Sequence, residues 1–131
     1  MPQLQCILVT PERTVRDEPA DFVALPLFDG EIGIAPGRAA MIGRLGNGEL
    51  RIRRGEQTER FYVEGGFVEV VADVVSVLTN RAVPAEDIDP AVSKELLDAA
   101  RERPAHSAEL IAIRERNVNQ ARAQLRVAQK R

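Results

Sequence analysis

Few side chains in this sequence could support catalysis or metal binding. The only histidine is His106 and the only cysteine is Cys6, and they stand at opposite ends of the chain. A nucleophile–base pair or a zinc site needs several such groups close together, and one cysteine excludes an internal disulfide. We expect His106 in a surface turn beside Pro104 and Cys6 in the core. The sequence therefore predicts no catalytic, cofactor-binding or metal-ligating residues.

The stretch DGEIGIAPGRAAMIGRL, residues 29–45, combines four glycines and a Pro-Gly pair with isoleucine, alanine, methionine and leucine. Glycine-rich segments can bind phosphate, but this one has no GxxxxGK[ST] pattern and no strand–glycine–helix order. The simplest role for its glycines is to permit tight turns or a close backbone approach. The alternative is a loop-rich end of a sandwich that presents Asp29, Glu31 and Arg38 to a partner.

Charge is unevenly distributed along the chain. Residues 1–100 carry 10 Lys/Arg and 17 Asp/Glu, a net charge of −7, whereas residues 101–131 carry 8 and 3, a net charge of +5. The formal total of −2 gives no overall case for a nucleic-acid binder. An acidic body with a basic C-terminal segment is the more informative feature.

Up to about residue 80 the apolar residues recur with the two-residue period of β-strands. Leu4, Cys6 and Leu8 share one face of a first strand. The segment FVALPLF, residues 22–28, predicts another strand, in which Pro26 indicates an edge or a strand end.

Residues 60–80 predict three consecutive strands, separated by the pairs Gly65-Gly66 and Ala72-Asp73. Strands at this spacing, joined by short turns, are typical of antiparallel sheets rather than βαβ units. The sequence therefore predicts an N-terminal antiparallel β-sandwich over residues 1–84.

Further along the chain the apolar period becomes that of helices. Asp89 is a natural N-cap and Pro90 fits the first helical position. Pro104 ends this first helix, and Ser107 caps a second one. Together they predict a C-terminal two-helix antiparallel hairpin over residues 85–131.

The apolar stripes of both predicted helices are thin. The first helix aligns four residues at helical spacing: Val92, Leu96, Ala99 and Ala100. The second repeats apolar residues every seven positions, with alanines between them: Ile111, Val118, Leu125, Ala121 and Ala128. Two short helices with such narrow stripes are marginal alone. We therefore expect a weakly held hairpin that can occupy more than one position.

The sequence contains no apolar run of the roughly 18 residues that a membrane-spanning helix needs. Its first residues have no basic region and too short an apolar run for a secretory signal. With a single cysteine, these features predict a cytosolic protein in a reducing compartment.

Residues 29–45 resemble the GExGIxPGHxPxxxxL signature of the epsilon subunit of bacterial rotary ATP synthases. LVTPERTVRD resembles the first strand and turn of that family, and YVEGGFVEVVADVVSVLTNRA resembles its glycine-pair hairpin. The order of a sandwich and then a helical hairpin also matches, so the resemblance covers essentially the whole chain. Here Arg38 stands where the family usually has His, and Ala40 where it usually has Pro.

The resemblance implies a non-catalytic central-stalk subunit of a proton- or sodium-translocating ATP synthase, peripheral at the cytoplasmic face of the bacterial inner membrane. In the family the sandwich binds the gamma subunit and its lower loops contact the c-ring, which implies c-ring-side positions for Asp29, Glu31 and Arg38. The alternative is a stand-alone small-molecule-binding β-sandwich or a small enzyme that uses carboxylates such as Glu86 and Asp87.

The resemblance gives the basic C-terminal helix an interface of its own. In the family the hairpin can extend along the stalk and bring basic side chains against an acidic segment of the alpha/beta catalytic hexamer, which inhibits ATP hydrolysis. This implies contacts by Arg114, Arg122 and Arg126. The same predicted helix carries three further basic residues: Arg116, Lys130 and Arg131. A solvated helix face would have the same composition, and the sequence leaves open whether the hairpin is folded or extended at rest.

Some members of the family bind ATP on the folded hairpin through an I/L-D-x-x-R-A motif. The matching stretch here is IDPAVS, in which Ile88 and Asp89 agree but Val92 replaces Arg and Ser93 replaces Ala. Loss of the guanidinium removes a bidentate phosphate ligand, and a helix cap explains Asp89. We therefore expect no ATP binding by the hairpin and no cofactor.

Overall fold

The computed structural model describes residues 2–129, and the chain divides into two compact units, residues 1–84 and 85–131. The described part of the first unit contains ten strands: β1 (Leu4–Val9), β2 (Thr14–Ala20), β3 (Phe22–Leu27), β4 (Gly30–Ile34), β5 (Met41–Arg44), β6 (Asn47–Arg54), β7 (Gln57–Glu64), β8 (Phe67–Val71), β9 (Val74–Leu78) and β10 (Ala82–Pro84). The second unit contains a 3-10 turn and two helices: Ala85–Asp87, α1 (Pro90–Glu102) and α2 (Ala108–Gln129). The predicted fold class, a sandwich followed by two helices, is confirmed.

Two five-stranded sheets form the sandwich. Sheet I has the strand order β2-β1-β9-β8-β5, and sheet II has the order β10-β7-β6-β3-β4. Among the described residues all neighbouring strands are antiparallel except β1 and β9, which run parallel. This one pair departs from the antiparallel prediction because short turns fix the direction of consecutive strands only, and β1 and β9 are far apart along the chain.

Alternate residues of the strands fill the space between the sheets. Leu4, Cys6 and Leu8 of β1 are buried, as their alternation predicts. Within this core, the largest side chains that sheet II contributes are Val23, Leu25, Ile34, Leu50, Phe61 and Val63. Burying a large apolar side chain contributes about 1.5–3 kcal/mol, so this core is the main source of stability for the first unit.

The glycine pair Gly65-Gly66 carries the chain from sheet II to sheet I and does not form a hairpin. It joins β7 of sheet II to β8 of sheet I, with φ angles of 58° and 106°. A Cβ atom on Gly66 would lie 1.9 Å from the carbonyl oxygen of Leu78, so the two backbones are in contact there. The hairpin in this region is the β8–β9 turn, where Ala72 and Asp73 both have positive φ angles, as a type I′ turn requires. The glycine-pair hairpin implied by the resemblance is therefore wrong.

Pro26 lies near the end of β3, as predicted, although β3 is not an edge strand. β3 pairs with β6 only over residues 22–24, whereas its pairing with β4 continues over residues 23–27. Beyond residue 24, β3 is no longer paired with β6. Proline, which has no backbone N–H to donate to a neighbouring strand, is therefore tolerated at position 26.

Both helices begin at the predicted caps. The carboxylate of Asp89 accepts a hydrogen bond from the backbone N–H of Ala91 at 2.9 Å, and the hydroxyl of Ser107 accepts one from Leu110 at 3.1 Å. These side chains satisfy N–H groups that have no partner within the first turn of a helix. α1 ends two residues before Pro104, as expected from the missing N–H of proline.

The buried face of α1 differs from the predicted stripe. The buried residues are Ser93, Leu97 and Ala100, whereas Val92 and Leu96 are 49% and 50% exposed. A serine on a helix can bond its hydroxyl to the carbonyl of the preceding turn. A hydropathy pattern treats every serine as exposed, so it did not place Ser93 on the buried face. The predicted stripe is therefore rotated by one residue from the observed one.

The seven-residue seam predicted for α2 holds only for its alanines. Ala121 and Ala128 are buried, but Ile111 is 40% exposed, and Val118 and Leu125 are half-buried. α2 has 22 residues and α1 has 13, so α1 is too short to cover the whole of α2. The spacing of apolar residues along α2 does not show which of them α1 covers.

Candidate interaction surfaces

The outer face of sheet I carries exposed apolar side chains. Ile42 on β5, Phe67 and Val71 on β8, and Leu78 on β9 are 75%, 59%, 47% and 51% exposed. We call these four residues the sheet I patch. They lie in a unit whose core is already complete, so internal packing does not explain them.

The strand register brings the patch together. Leu78 of β9 pairs with Phe67 of β8, and Ile42 of β5 pairs with Glu69, two residues further along β8. On the other side Val9 of β1, which is half-buried, pairs with Leu78. Because neighbouring strands lie about 4.8 Å apart, Phe67, Leu78 and Val9 form one apolar row across three strands. Ile42 lies opposite Glu69, which faces outward between Phe67 and Val71.

This surface has the composition of a protein interface. A contiguous apolar patch on one face of a small domain marks a contact site for a partner. Two charged residues flank its members in the register, Glu69 opposite Ile42 and Arg44 opposite Phe67. Glu69 therefore lies within the patch and Arg44 lies beside it on β5, so the surface combines apolar side chains with charged groups, as protein interfaces do.

The sequence analysis did not identify the patch, although a signal was present. Along β8, Val68 and Val70 face the core while Phe67 and Val71 face outward. A strand with one solvated face alternates apolar and polar residues. Apolar residues at both sets of positions therefore indicated that the outer face has a use of its own.

Residues 29–45 form the edge strands β4 and β5 and the loop between them. β4 is the edge of sheet II and β5 the edge of sheet I, so this stretch crosses between the sheets. The ring of Phe22 covers Gly33, where a Cβ atom would lie 2.5 Å from it. Gly37 has a φ of 88°, and its N–H donates to Asp73 Oδ1 at 2.8 Å. The predicted roles of glycine in close approach and in a turn are confirmed at these two positions.

The three acidic and basic residues singled out in this stretch do not form one cluster. Asp29 is exposed in the tight turn that precedes β4, whereas Arg38 is exposed in the loop that follows it. Glu31 lies on β4 itself, and its ion pair is with Arg51 of β6, at 2.7 Å. Arg38 donates through Nη1 to the carbonyl oxygen of Gly33, at 3.5 Å.

Glu31 is the outermost member of a chain of alternating charges on sheet II. Arg51 donates through Nη2 to Glu31 and through Nη1 to Glu49 Oε1, at 2.7 and 3.1 Å. Arg60 Nε donates to the other oxygen of Glu49, at 2.8 Å. The hydrogen bonds of Glu31 and Glu49 raise the pKa of Arg51. Glu31 is therefore held in one orientation by a fixed positive charge.

The arginines predicted on α2 lie on two parts of its surface. Arg114 and Arg122 line a shallow groove with Arg101 of α1, and Arg126 is exposed outside the lining of that groove. At 100° per residue, Arg126 is rotated by about 120° around the helix axis from Arg114. The groove, which Glu115 also lines, carries three arginines that can attract an anionic group, whereas Arg126 lies on another side of the helix.

The remaining basic residues of the segment are described only in part. Arg116 is exposed, and Lys130 and Arg131 lie outside the described residues.

Within residues 2–129, neither helix has the length and the apolar composition that crossing a membrane requires.

The stretch that resembles the ATP-binding motif has a different chemistry in this chain. Val92 places an exposed hydrocarbon side chain at the position of the motif arginine. Ser93 is buried, and the carboxylate of Asp89 already accepts the N–H of Ala91. None of these groups provides a cation for phosphate.

Cys6 and His106, the residues best suited to nucleophilic or acid–base catalysis, lie in different units of the chain. Burial raises the pKa of the Cys6 thiol to about 12, so it stays protonated and is a poor nucleophile. His106 is exposed between α1 and α2, and Glu86 and Asp87 are exposed in the 3-10 turn. None of these groups assembles with another into an acid–base pair.

Comparisons with known proteins agree with the fold. Residues 3–85 match the family model described as ATP synthase, Delta/Epsilon chain, beta-sandwich domain. The chain is 48% identical over 125 residues to the ATP synthase epsilon chain of Rhodopirellula baltica, covering 95% of this chain and 98% of the relative. It is 45% identical over 96 residues to that of Carboxydothermus hydrogenoformans, covering 73% and 72%.

Two solved structures share the fold. One is a chain of the Euglena gracilis mitochondrial ATP synthase, with a TM-score of 0.85 and 23% identity over 92% of this chain and 78% of that one. The other is a chain of the Tetrahymena thermophila mitochondrial ATP synthase central stalk and c-ring, with a TM-score of 0.76 and 13% identity over 97% of both. The chain belongs to the ATP synthase epsilon-chain family.

Proposed function

We propose that this chain is the non-catalytic epsilon subunit of the central stalk, which connects the gamma subunit to the c-ring and restrains ATP hydrolysis. The observation that carries the proposal is the sheet I patch. A subunit that turns with a shaft needs a stable contact to it, and exposed Phe, Ile, Leu and Val side chains supply one. Burying each would contribute about 1.5–3 kcal/mol. The gamma subunit is therefore the partner we assign to sheet I.

The c-ring contact is assigned to the stretch between residues 29 and 45. Asp29 is exposed at the β3–β4 turn, and Glu31 is oriented by Arg51 of β6, across the intervening strand β3. Charges on short turns suit the polar loops of a membrane rotor, since such contacts fix the register of two surfaces. Arg38, at the other end of β4, supplies a positive charge to the same assembly. In this arrangement the chain is peripheral to the cytoplasmic face of the membrane and reaches it only through protein partners.

The helical hairpin is assigned the regulatory role. Arg114, Arg122 and Arg126 are at least partly exposed and would contact an acidic segment of the alpha/beta hexamer when the hairpin leaves its folded position. The alanine-rich buried face of α2 supports a hairpin with two positions of similar free energy, because small side chains bury little apolar surface. ATP binding is not part of this proposal, since Val92 supplies no cation where a phosphate would need one.

Deleting residues 88–131 tests the division of roles. In a reconstituted ATP synthase, we expect the truncated chain to assemble and to support ATP synthesis, because the sandwich has its own core. We expect ATP hydrolysis to rise at least about threefold, since a few partly exposed charge contacts contribute about 0.5–1 kcal/mol each. The measurement is the rate of each reaction with the full and the truncated chain.

A second variant separates charge from bulk. Replacing Arg114, Arg122 and Arg126 together by glutamine keeps the hairpin but removes its proposed contacts, and it should raise hydrolysis as the truncation does. Unchanged hydrolysis by the truncated complex would show that the hairpin does not inhibit. An effect of the truncation alone would reject the three arginines as the contact residues.

A further inference from the structure

Four charged side chains meet at the side of the sandwich where β2 approaches the β6–β7 hairpin. They are Arg16 and Glu18 on β2, Arg54 on β6 and Glu59 on β7. In the β1–β2 register Glu18 lies opposite Cys6, and Arg16 lies opposite Leu8. Because Cys6 and Leu8 face the core, Glu18 and Arg16 point toward the space between the sheets. This group is separate from the patch and from the 29–45 stretch.

The hydrogen bonds within this group are unequally shared. Arg16 donates to Glu59 Oε2 through Nε at 3.1 Å and through Nη2 at 2.9 Å. Among the described residues, the cation paired with Glu18 is Arg54, whose Nη1 lies 3.4 Å from Glu18 Oε2 and whose side chain is 42% exposed. The other oxygen of Glu18, Oε1, is buried without a hydrogen-bond partner among the described residues. An ionised carboxylate in that position would lack a donor and lose free energy by burial.

We propose that Glu18 is protonated and donates its proton to the carboxylate of Glu59, so that this shared proton holds β2 against the β6–β7 hairpin and its loss loosens that edge of the sandwich. The carboxyl groups of the two residues are within hydrogen-bonding reach of each other, and a shared proton gives Glu18 Oε1 the partner that it otherwise lacks among the described residues. The inference does not depend on the proposed function.

The groups around the pair act differently on its two carboxyl groups. The hydrogen bond with Glu59, followed by burial and by the negative charge of Glu59, raises the pKa of Glu18 above its ordinary value of 4.5, against the opposing effect of Arg54 and Arg16. The hydrogen bond from Arg16 lowers the pKa of Glu59. Cys6, on β1, has a neutral thiol. The carboxylate of the pair is therefore Glu59, and the acid is Glu18.

The direction of the pH dependence follows from these two shifts. The folded chain binds the Glu18 proton more tightly than the unfolded chain does. The stability that this proton contributes is complete below pH 4.5 and is lost as the pH rises through the raised pKa of Glu18. The contribution of Glu59, whose pKa is lowered, is lost only as the pH falls through that lower pKa. Above pH 4.5 the β2 edge therefore weakens with rising pH because of Glu18, and the sandwich responds to proton concentration.

The full chain with ¹³C-labelled glutamate tests the inference by NMR. The carboxyl carbons of Glu18 and Glu59 are followed through a pH titration, and amide hydrogen exchange of β2 is measured between about pH 5 and 8. We expect Glu18 to titrate above 4.5. For each unit of that difference, we expect about a tenfold loss of β2 protection as the pH rises.

Two variants complete the experiment. In E18Q the amide N–H donates to Glu59 at every pH, so the protection of β2 should stop depending on pH. E12Q, at an exposed position in the β1–β2 connection, should behave as the wild type. A Glu18 carboxyl that titrates at or below 4.5 in the wild type, which needs no variant to fold, overturns the inference. Equal pH dependence of β2 in E18Q and the wild type overturns it as well.

Discussion

Replacing Ile42 or Phe67 with aspartate is expected to weaken binding to the gamma subunit by at least about 30-fold in each case, which corresponds to about 2 kcal/mol. Both side chains are largely exposed, so neither substitution removes a core contact. Each would remove exposed apolar surface from the proposed interface and bury a carboxylate there, opposite Glu69 at position 42 and opposite Arg44 at position 67. Isothermal titration calorimetry with purified gamma subunit measures the change.

The matched control is Val92→Asp on α1, since Val92 is 49% exposed and lies in the other unit. It makes a similar change of apolar to acidic surface and should leave the affinity for gamma unchanged. All three variants should unfold at denaturant concentrations close to that of the wild type, because exposed substitutions usually change stability by less than about 0.5 kcal/mol. Wild-type affinity in both patch variants would reject sheet I as the interface.

Gly66→Ala is expected to destabilise the sandwich by at least about 3 kcal/mol. Position 66 has a φ of 106°, which side chains rarely tolerate, and an added Cβ would lie 1.9 Å from the Leu78 carbonyl oxygen. The clash is with backbone, so no rotamer change can relieve it. The strands on either side would have to separate where the chain passes from sheet II to sheet I. Urea unfolding followed by circular dichroism measures the loss.

Gly55→Ala provides the comparison. Gly55 also has a positive φ, of 62°, but no atom lies within 4 Å of an added Cβ. We expect this variant to lose only about 1 kcal/mol, from backbone strain alone. Equal losses at the two positions would mean that the contact between Gly66 and Leu78 does not constrain the sandwich.

Features that depend on a few consecutive residues were predicted well from sequence. The alternation of Leu4, Cys6 and Leu8 identified a buried strand face, and Asp89 and Ser107 identified the first residues of two helices. Each depends on local geometry, such as the side-chain period of a strand or the unpaired N–H groups at a helix start. Turn chemistry also identified the junctions at Gly65-Gly66 and Ala72-Asp73.

Features set by distant parts of the chain were not predicted. The parallel pairing of β1 with β9 and the sheet crossing at Gly66 depend on how non-consecutive strands meet. The buried face of α1 was displaced because a binary pattern cannot tell a buried Ser93 from an exposed one. The charged residues Asp29, Glu31 and Arg38 were identified by their type. The pairing of Glu31 with Arg51 was not predicted, because it joins residues that are distant in the sequence.

The most important omission was the sheet I patch. An apolar residue in a strand predicts burial, and the sequence does not state whether the burial is within the chain or against a partner. Val68 and Phe67 are equivalent in a hydropathy pattern, yet one is in the core and the other is 59% exposed. The resemblance to epsilon subunits provided the partners, and the structure provides the surface that we assign to one of them.

The most direct test of the central claim is a methyl NMR titration of the full chain with purified gamma subunit. We predict that the methyl signals of Ile42, Val71 and Leu78 shift on binding, while those of Ile111 and Ile113 on α2 stay in place. Shifts confined to the α2 methyl groups, or none at any of these five residues, would contradict the assignment of sheet I to the gamma subunit.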